Sequence, residues 1–511
     1  MGRVFWAVPI VFIASAAKAQ LSLRTVAMTG DPCPRSSLGG VISNFTNLFS
    51  GPSQRINNSG RVAFQATCSD TGETMDLTEG HGSLQAIRVG DVVPGLGALT
   101  TVLAPAIDDD GDILFLGVSS HDGYVTDQTG SLTKVVATGD LVPGMGTTRF
   151  QTLSWSPGVN SSPSIGHGGQ GAFYATITGN GVGVWTHQSG ALATAAIQGV
   201  AVPNYPGETF GLIDGSLYPT VNAHGDTAFK AGAAWMETNG AYRRISPTVQ
   251  EDPANCQPTA SPSINNAGRA SYVATCAGIS GQPQRILSEA GGTLHMVATS
   301  TDPPVGMPAG STYAGMSPPG ITGVGQTVFH SSVITPDQQT RDAYFAEDVQ
   351  GLLKVLVAEG MPVPGMSSDV TFDLVPKGTP SANALGHVVF SASMIGPGVS
   401  ARGIWLSEIS SGALSLLLGS GQMIEVRPGD LRQVSDLVYF SVAGNGPNEP
   451  TRLGSGGQDG LPTPLNDNDQ FVFKAIFTDG SSGIFVATIP EPGGVGLMGL
   501  ILLAFIRRRI R

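Results

Sequence analysis

A short motif, Asn-x-x-Gly-x-x-x-Phe, recurs along most of the chain and constrains the fold more than any other feature. Asn favours a turn because its side chain bonds the local backbone, Gly supplies a positive φ, and the aromatic residue marks a buried position on the strand that follows. Each copy therefore predicts a tight turn that enters a β-strand. The copies begin at Asn57, Asn222 and Asn383, with a Tyr variant at Asn265, an Asp variant at Asp108 and degenerate copies at Gly166, Thr322 and Asn466.

Two further signals recur between the copies of this motif. One is Gly-x-Leu followed by a β-rich run, and the other is a short aromatic strand, such as Val184-Trp185 or Ile404-Trp405. Together they give each unit of about 50 to 60 residues roughly four short strands, the content of one β-propeller blade. The Gly-x-Leu type signals begin at Gly82, Gly130, Gly190, Gly240, Gly292, Gly351 and Gly412.

The two ends of the repeat region predict a closed ring. The segment 23–31 has the pattern of the last strand of a unit, whereas 466–489 has the first strands of a unit without the last. Pairing the two partial units would remove the exposed edges of an open array. We therefore predict an all-β, propeller-like ring of about eight four-stranded repeats over residues 20–488, with seven blades or an open β-repeat array as alternatives.

Composition supports a folded, turn-rich chain without a nucleic-acid partner. Of 511 residues, 70 are Gly and 35 are Pro, but 41% are hydrophobic, which favours folded β structure over low complexity. Charged residues are only 13%, and the net charge is −12. This acidic balance disfavours nucleic acid or an anionic membrane surface as a partner.

Residues 1–19 have the pattern of a secretory signal peptide. Arg3 provides the positive charge, residues 4–14 are apolar, and Ala17-Lys18-Ala19 is a small-residue cleavage site before Gln20. A transmembrane anchor is the weaker alternative because the apolar run is too short to span a bilayer. The sequence therefore predicts export.

The last 23 residues, 489–511, combine three elements in order. Pro490-Glu491-Pro492 is followed by an uncharged apolar stretch, 493–506, and then by Arg507, Arg508 and Arg509. As a helix, the apolar stretch is about 21 Å long, short of a hydrocarbon core of about 30 Å. The arginines favour the cytoplasmic headgroups, so the segment would act as a stop-transfer tag. A plain tail anchor is the alternative.

This tail resembles the PEP-CTERM sorting signal of Gram-negative bacteria. The body, with its Asn-x-x-Gly-x-x-x-Phe repeats, resembles the exported tandem-repeat proteins that end in varied anchor types. The resemblance implies that an exosortase, a membrane transpeptidase, cuts the tail near the triplet, and that the body lies at the cell surface or in the extracellular matrix. Such tails go with exopolysaccharide-producing bacteria, so the resemblance also implies an extracellular polysaccharide partner. It implies no chemistry.

The four cysteines fall at matched positions of two units. Cys68 lies four residues after Phe64, and Cys276 lies four residues after Tyr272. Their upstream companions, Cys33 and Cys256, also correspond, so we predict the disulfides Cys33–Cys68 and Cys256–Cys276 and an oxidising compartment. A four-thiolate zinc site is the alternative, but it lacks the C-x-x-C spacing.

Two groups of carboxylates are candidate sites. Asp108, Asp110 and Asp112 are the best calcium candidates, followed by residues 466–469, because hard cations prefer clustered oxygens. Both groups occupy repeat turns and lack EF-hand spacing, so we favour solvated turns and predict no resident metal or cofactor. The Gly-Asp pairs at Asp31, Asp91 and Asp140 are candidates for paired carboxylates around a central channel, but their recurrence favours a turn-forming role.

The predicted function is an exported, non-enzymatic binding scaffold without a catalytic residue. A secreted polysaccharide hydrolase or lyase, and a calcium-dependent adhesin, are the alternatives. One interval breaks the period, from Phe390 to Phe473, with an excess around residues 431–461. Insertions in repeat arrays usually form surface loops, either on the binding face or merely tolerated, and we expect a loop here.

Overall fold

The fold is an eight-bladed β-propeller. A computed structural model describes residues 21–490 apart from 37, 46–54, 71, 73, 104, 129, 154–162, 189, 214–217, 377, 379, 440–457 and 462. Within these residues, all the regular structure consists of strands, which form eight antiparallel blades and one extra hairpin. The prediction of an all-β ring of eight units is confirmed.

The first strand, Ser22–Met28 (β1), belongs to the last blade, and each of blades 1 to 4 is built from consecutive residues. A two-stranded hairpin, β7 and β8, connects blades 1 and 2. Blade 1 contains Ile42–Asn44 (β2), Arg55–Ile56 (β3), Val62–Cys68 (β4), Thr74–Thr78 (β5) and Gln85–Ile87 (β6); the hairpin is Val92–Val93 (β7) and Gly97–Ala98 (β8); blade 2 contains Thr101–Val102 (β9), Ala106–Ile107 (β10), Ile113–Val118 (β11), Asp122–Thr126 (β12) and Thr133–Ala137 (β13); blade 3 contains Phe150–Thr152 (β14), Ser164–Gly166 (β15), Gln170–Ile177 (β16), Gly181–Gln188 (β17) and Ala191–Ile197 (β18); blade 4 contains Thr220–Val221 (β19), Thr227–Ala231 (β20), Ala233–Thr238 (β21) and Ala241–Arg244 (β22).

Blades 5 to 7 follow the same plan, and blade 8 completes the ring. Blade 5 contains Cys256–Pro258 (β23), Ser263–Ile264 (β24), Ala270–Cys276 (β25), Gln284–Ser288 (β26) and His295–Thr299 (β27); blade 6 contains Thr312–Met316 (β28), Gly320–Ile321 (β29), Thr327–Ile334 (β30), Thr340–Glu347 (β31) and Leu353–Ala358 (β32); blade 7 contains Thr371–Leu374 (β33), Ser381–Ala382 (β34), His387–Gly396 (β35), Val399–Glu408 (β36) and Leu414–Gly419 (β37); blade 8 contains Met423–Arg427 (β38), Asp430–Val438 (β39), Gln470–Phe477 (β40) and Ser482–Thr488 (β41), together with β1.

The ring closes where the two ends of the repeat region meet, as predicted. In blade 8 the strand order is β1-β41-β40-β39-β38, and β1 runs antiparallel to β41 from Ser22 opposite Thr488 to Met28 opposite Gly483. The short inner strand β3 of blade 1 also contacts β40 of blade 8. The first described strand therefore completes the sheet formed by the last ones.

Each blade has a core built on the aromatic residue of the repeat motif. This residue lies directly opposite an aromatic or large aliphatic residue of the next strand, as Phe229 lies opposite Trp235 and Phe390 opposite Trp405. Both tryptophans are almost fully buried. The short aromatic strands predicted from the sequence thus supply the cross-strand partners of the aromatic residues in the repeat motif. Such pairs stabilise a sheet by more than their buried area alone.

The predicted disulfides are both present. Cys33–Cys68 joins the segment after β1 to β4, and Cys256–Cys276 joins directly opposite residues of β23 and β25. No free cysteine occurs among the described residues. Disulfides persist in oxidising compartments, so both bonds indicate an extracytoplasmic environment.

The expectation of a surface loop over residues 431–461 is wrong at both ends of that range. Residues up to Val438 belong to β39, which pairs with β38 and β40 inside blade 8. Residues 458–461 are buried at the centre of the ring. The spacing of the repeat motifs shows that this unit has extra residues, but it does not show which of them pair with a neighbouring strand. The predicted loop therefore overlaps β39. Residues 440–457, between these parts, lie outside the described residues.

The terminal segments lie mostly outside the described part of the chain. Residues 1–20, with the predicted cleavage site, and residues 491–511 are not described, so Pro490 is the one sorting-motif residue within the description. Among the described residues, no helix has the length and apolar character needed to cross a bilayer.

Candidate functional site

The turns of the repeat motif form a hydrogen-bonded belt around the propeller axis. Within a turn, the Asn oxygen accepts backbone N–H groups, as Asn222 Oδ1 accepts from His224 and Asp226 at 2.9 and 3.0 Å. The Asn amide then donates to the turn of the next blade, as Asn222 Nδ2 does to the Asn265 carbonyl at 3.1 Å. The prediction that Asn shapes the turn is confirmed, and the inter-blade bond is a second role that the motif alone did not reveal.

The belt continues around most of the ring. In one copy of the motif, Gly166 stands in place of Asn, and the geometry explains this difference. A Cβ at Gly166 would lie 2.6 Å from the carbonyl oxygen of Asn222, so this degenerate copy has no room for Asn. The remaining inter-blade donations from motif Asn residues are Asn265 Nδ2 to Thr322 O at 2.9 Å, Asn383 Nδ2 to Asn466 O at 3.2 Å, Asn466 Nδ2 to Asn57 O at 2.7 Å and Asn57 Nδ2 to Asp108 O at 2.6 Å.

A segment of the chain passes through the centre of this belt. We call residues 458–461 and 463–465 the plug. Backbone N–H groups of three blades donate to it: Val221 to Asp459 O at 3.0 Å, Ile165 to Gly460 O at 2.9 Å and Ile56 to Thr463 O at 2.9 Å. The described plug residues are almost fully buried. The axis of the propeller is therefore filled by the protein's own backbone.

A small cavity lies beside the described plug residues at the axis. Its volume is about 30 Å³, and Arg55, Asn57 and Asp108 line it together with Gly460 and Thr463. Ligand pockets of proteins usually measure about 300 to 1,000 Å³. This space suits water or a small ion, and a sugar ring does not fit.

Arg55 and Asp76 form a buried, oppositely charged pair beside this cavity. Burial lowers the pKa of Arg55 to about 10 and raises that of Asp76 to about 8, while the charge of each residue partly offsets the shift of the other. Gln65 Nε2 donates to Asp76 Oδ1 at 2.9 Å. Buried charges of this kind are held by partners, and the pair contributes to packing near the axis.

Outside the belt, a ring of amide and carboxylate side chains surrounds the plug at one end of the propeller. We call Asn58, Asp109, Asn266, Asp467 and Asn468 the axial face. Asn58 Nδ2 donates to Asp109 Oδ2 at 3.0 Å, and Asn468 Nδ2 donates to the Asn58 carbonyl at 2.6 Å. Burial raises the pKa of Asp467 to about 6. This face presents both donors and acceptors, which is what a hydroxyl-rich ligand requires.

The three calcium candidates point in different directions. Asp108 Oδ1 accepts the N–H groups of Gly111 and Asp112, each at 2.9 Å, and its Oδ2 accepts that of Gly169 at 2.8 Å. The Asp110 side chain is exposed, and its Oδ2 lies 3.4 Å from His167 Nδ1. The carboxylate of Asp112 belongs to a third group, so the three residues do not form one ligand set.

That third group joins His81, Asp112 and Asp127. One nitrogen of His81 and one oxygen of each carboxylate all lie within 4.8 Å of one another. His81 Nε2 is 3.1 Å from Asp127 Oδ2, and Ile113 N donates to Asp127 Oδ1 at 2.8 Å. Both carboxylates are largely buried, and His81 is partly exposed. Sequence reasoning missed this group because His81 comes from blade 1 and both aspartates come from blade 2.

The Gly-Asp pairs have a turn-forming role. Each carboxylate accepts the backbone N–H three residues earlier: Asp31 from Met28 at 2.8 Å, Asp91 from Arg88 at 2.9 Å and Asp140 from Ala137 at 2.7 Å. Each also pairs with a cation, namely Arg427, Arg35 and Lys134 respectively. None of the three aspartates lines the axial cavity.

A hydrogen-bonded chain of Ser317, His330 and Asp342 lies within blade 6. Ser317 Oγ is 2.9 Å from His330 Nδ1, and His330 Nε2 is 3.1 Å from Asp342 Oδ1. No sequence pattern indicates this chain, because its residues meet only through strand register. The His330 side chain is 4% exposed and packs against Tyr344. The chain satisfies buried polar groups, which is the usual role of such networks.

The strand order, the closed ring and the repeated blades define this protein as a β-propeller. A model of a family of unknown function, DUF7453, matches residues 56–495, so the chain belongs to that family. No curated protein matches the chain.

Several solved structures are similar to the chain at low identity. An oligogalacturonate lyase from Vibrio parahaemolyticus is 8% identical with a TM-score of 0.38, covering 93% of this chain and 99% of its own. The polysaccharide lyase Uly1 is 9% identical with a TM-score of 0.38, covering 92% and 100%. The SapL1 lectin, in complex with alpha methyl fucoside, is 12% identical with a TM-score of 0.27, covering 73% and 96%. We draw no activity from similarities of this size.

Proposed function

We propose that this chain is an exported, non-enzymatic protein of the cell surface or extracellular matrix, and that its propeller binds an extracellular polysaccharide. The plug is the observation that carries the proposal. Because it occupies the axis and the cavity beside its described residues measures about 30 Å³, we expect a ligand of polymer size to bind an outward-facing surface. The two disulfides support an extracytoplasmic site of action.

The axial face is the surface that we assign to this binding. It combines amides and carboxylates around a rigid centre, and such groups recognise hydroxyls by hydrogen bonds in both directions. Asn468 is exposed, and Asn58 and Asp109 are half-buried. These side chains are held by one another, so little ordering is needed when a ligand binds.

A glycan array with the purified protein, followed by product analysis, tests this proposal. We expect retention of at least one acidic or neutral polysaccharide without release of shorter products. N468A combined with D109N should weaken binding about 10-fold, as expected from losing about two hydrogen bonds. The matched control is D302N, an exposed carboxylate in the turn after β27.

Two results would overturn the proposal. Equal binding by the axial-face variant and the control would exclude this face. Release of products that S317A or D342N abolishes would instead support the alternative of a hydrolase or lyase, since these substitutions break the Ser317–His330–Asp342 chain. Variants of Ser317 and Asp342 need a thermal unfolding control because the chain is buried.

We also propose that the C-terminal tail, 489–511, is a sorting signal read by an exosortase. The support is the ordered set of Pro490-Glu491-Pro492, the apolar stretch and the arginines. In a host with an exosortase, the wild-type protein should lose the tail and leave the inner membrane. Replacing Glu491 with Ala should keep the full-length chain in the membrane fraction, and identical fractionation of both forms would contradict this role.

A further inference from the structure

The interface between blades 1 and 2 gathers more carboxylates than the corresponding contacts of blade 4 with blade 5 and of blade 5 with blade 6. At those two interfaces, a basic side chain of one blade meets a single carboxylate at the end of the third main strand of the next blade. Arg243 meets Glu289 in this way, and His295 meets Glu347 with Nε2–O distances of 2.8 and 3.0 Å. At the first interface, His81 meets Asp127 at the equivalent position, and Asp112 adds a second carboxylate.

We propose that His81, Asp112 and Asp127 bind a divalent transition-metal ion, with Zn²⁺ the best fit. An imidazole nitrogen and two carboxylate oxygens are a usual zinc ligand set, with water as a fourth ligand. Zinc ligands at about 2.0 to 2.1 Å in a tetrahedron are about 3.3 Å apart. The distance of 3.1 Å between His81 Nε2 and Asp127 Oδ2 is close to that value.

The state of the Asp112 carboxylate is the second observation for the site. Asp112 is 8% exposed, and its only hydrogen bonds within the described part of the chain use its backbone. A buried carboxylate normally accepts hydrogen bonds or binds a metal. Its oxygen instead lies within reach of the other two ligand atoms. A cation between the three groups satisfies it.

Charge at this interface also favours a cation. One oxygen of Asp112 and one oxygen of Asp127 lie within 4.8 Å of each other, and both residues are less than a tenth exposed. Two nearby carboxylates in a partly buried setting therefore repel each other, with His81 as a partial offset. A doubly charged ion would remove this repulsion.

The local backbone holds the ligands in place for this role. The turn at Gly80 packs so closely on the turn at Gly111 that a Cβ on either glycine would collide with the carbonyl oxygen of the other. This contact brings His81 beside the start of β11. Asp127 is oriented by the N–H of Ile113, which donates to its second oxygen at 2.8 Å, and such support is typical of metal ligands. The partly exposed His81 gives the ion access from solvent.

The natural control lies in blades 5 and 6. There His295 reaches Glu347, which occupies the repeat position of Asp127, and Gln326 stands at the position of Asp112. This second site thus offers a histidine and one carboxylate without the third ionisable ligand. We expect zinc to bind the first interface and not this one.

The test is zinc binding by the untagged full chain, measured by isothermal titration calorimetry and by metal analysis after dialysis. We expect one bound zinc per chain and a higher melting temperature with zinc. D112N and H81Q should each weaken zinc binding at least about 10-fold and remove the zinc-dependent shift in melting temperature. H295Q should leave both unchanged.

The stability of the metal-free protein separates this proposal from a structural role of Asp112. Without metal, D112N should melt at the same temperature as the wild type or higher, because it removes a repulsion. Zinc binding of equal strength in D112N, H81Q and the wild type would overturn the site. A thermal shift with Ca²⁺ but none with Zn²⁺ or Mn²⁺ would overturn the choice of metal, and a metal-free D112N that no longer folds would overturn the ligand role. The proposal does not depend on the proposed polysaccharide binding.

Discussion

The side-chain amide of Asn466 donates a hydrogen bond of 2.7 Å to the backbone carbonyl of Asn57, which lies 409 residues earlier in the chain. Both residues occupy the first position of a repeat motif, one in the last blade and one in the first, and both are buried. The contact that joins several other pairs of neighbouring turns in the belt therefore also joins the ends of the ring.

Asn466→Ala should destabilise the protein by about 2 to 3 kcal/mol, because it leaves the buried Asn57 carbonyl without its donor and the turn without its acceptor. Chemical unfolding measures this change. Asn468→Ala is the matched control, since its exposed amide donates to Asn58 O and water can replace it. We expect a loss of about 0.5 kcal/mol for the control, and equal losses would contradict the closing role of Asn466.

Gly460→Ala should destabilise the protein by more than about 3 kcal/mol. A Cβ there would lie 2.6 Å from Val221 O and 3.0 Å from Ile165 O, and the residue has a φ of +68°. Gly480→Ala, with a φ of +82° and no atom within 4 Å of its Cβ, isolates the backbone strain, which costs about 1 to 2 kcal/mol. If thermal unfolding shows the same loss for both variants, the plug is not packed as described.

His387 should make the stability of the ring depend on pH. Its Nδ1 lies 2.7 Å from Asp469 Oδ1 across the interface of blades 7 and 8, and this hydrogen bond raises the pKa of His387 above its ordinary value near 6.5. The stabilisation from this pair is complete below the pKa that His387 has in the unfolded chain. It is lost as the pH rises through the higher pKa that His387 has in the folded protein. We expect the difference in unfolding free energy between the wild type and H387N to shrink as pH rises from 5.5 to about 8.5.

The corresponding control is His224, which occupies a repeat turn where its backbone N–H donates to Asn222. H224N should leave the pH profile of stability unchanged. A difference between the wild type and H387N that stays constant with pH would show that the charge of His387 does not contribute.

Removing both cysteines of one disulfide should lower stability in proportion to the logarithm of the loop it closes. With separations of 20 and 35 residues, the chain-entropy model gives about 3.3 kcal/mol for Cys256–Cys276 and about 3.8 kcal/mol for Cys33–Cys68. Urea unfolding of the double serine variants measures both. A loss below about 1 kcal/mol would indicate that the unfolded chain is not constrained by that bond.

Much of the fold could be predicted from the sequence because the repeats are locally regular. The Asn-x-x-Gly turn, the aromatic residue four positions after the Gly and the matched cysteines are each set by contacts within one repeat. Ring closure was also predictable, because β1 looked like the strand that the final unit lacked, and it pairs with β41.

The centre of the ring was not predictable in the same way. The plug residues have no repeat pattern, and their burial depends on N–H groups of three distant blades. The His81, Asp112 and Asp127 group and the Ser317, His330 and Asp342 chain depend on inter-blade packing and strand register, neither of which sequence spacing encodes. Repeat spacing indicates extra residues before Phe473 but does not show that residues 458–461 lie at the centre of the ring.

The sharing of blade 8 between both ends of the chain affects the order of folding. Blades 1 to 7 consist of consecutive residues and can form during synthesis, but β1 keeps an unpaired edge until Ser482–Thr488 has been made. Contacts of such long separation form slowly, and exposed edges invite aggregation and proteolysis. A chain that ends before the last strand therefore leaves its first strand unpaired and exposed.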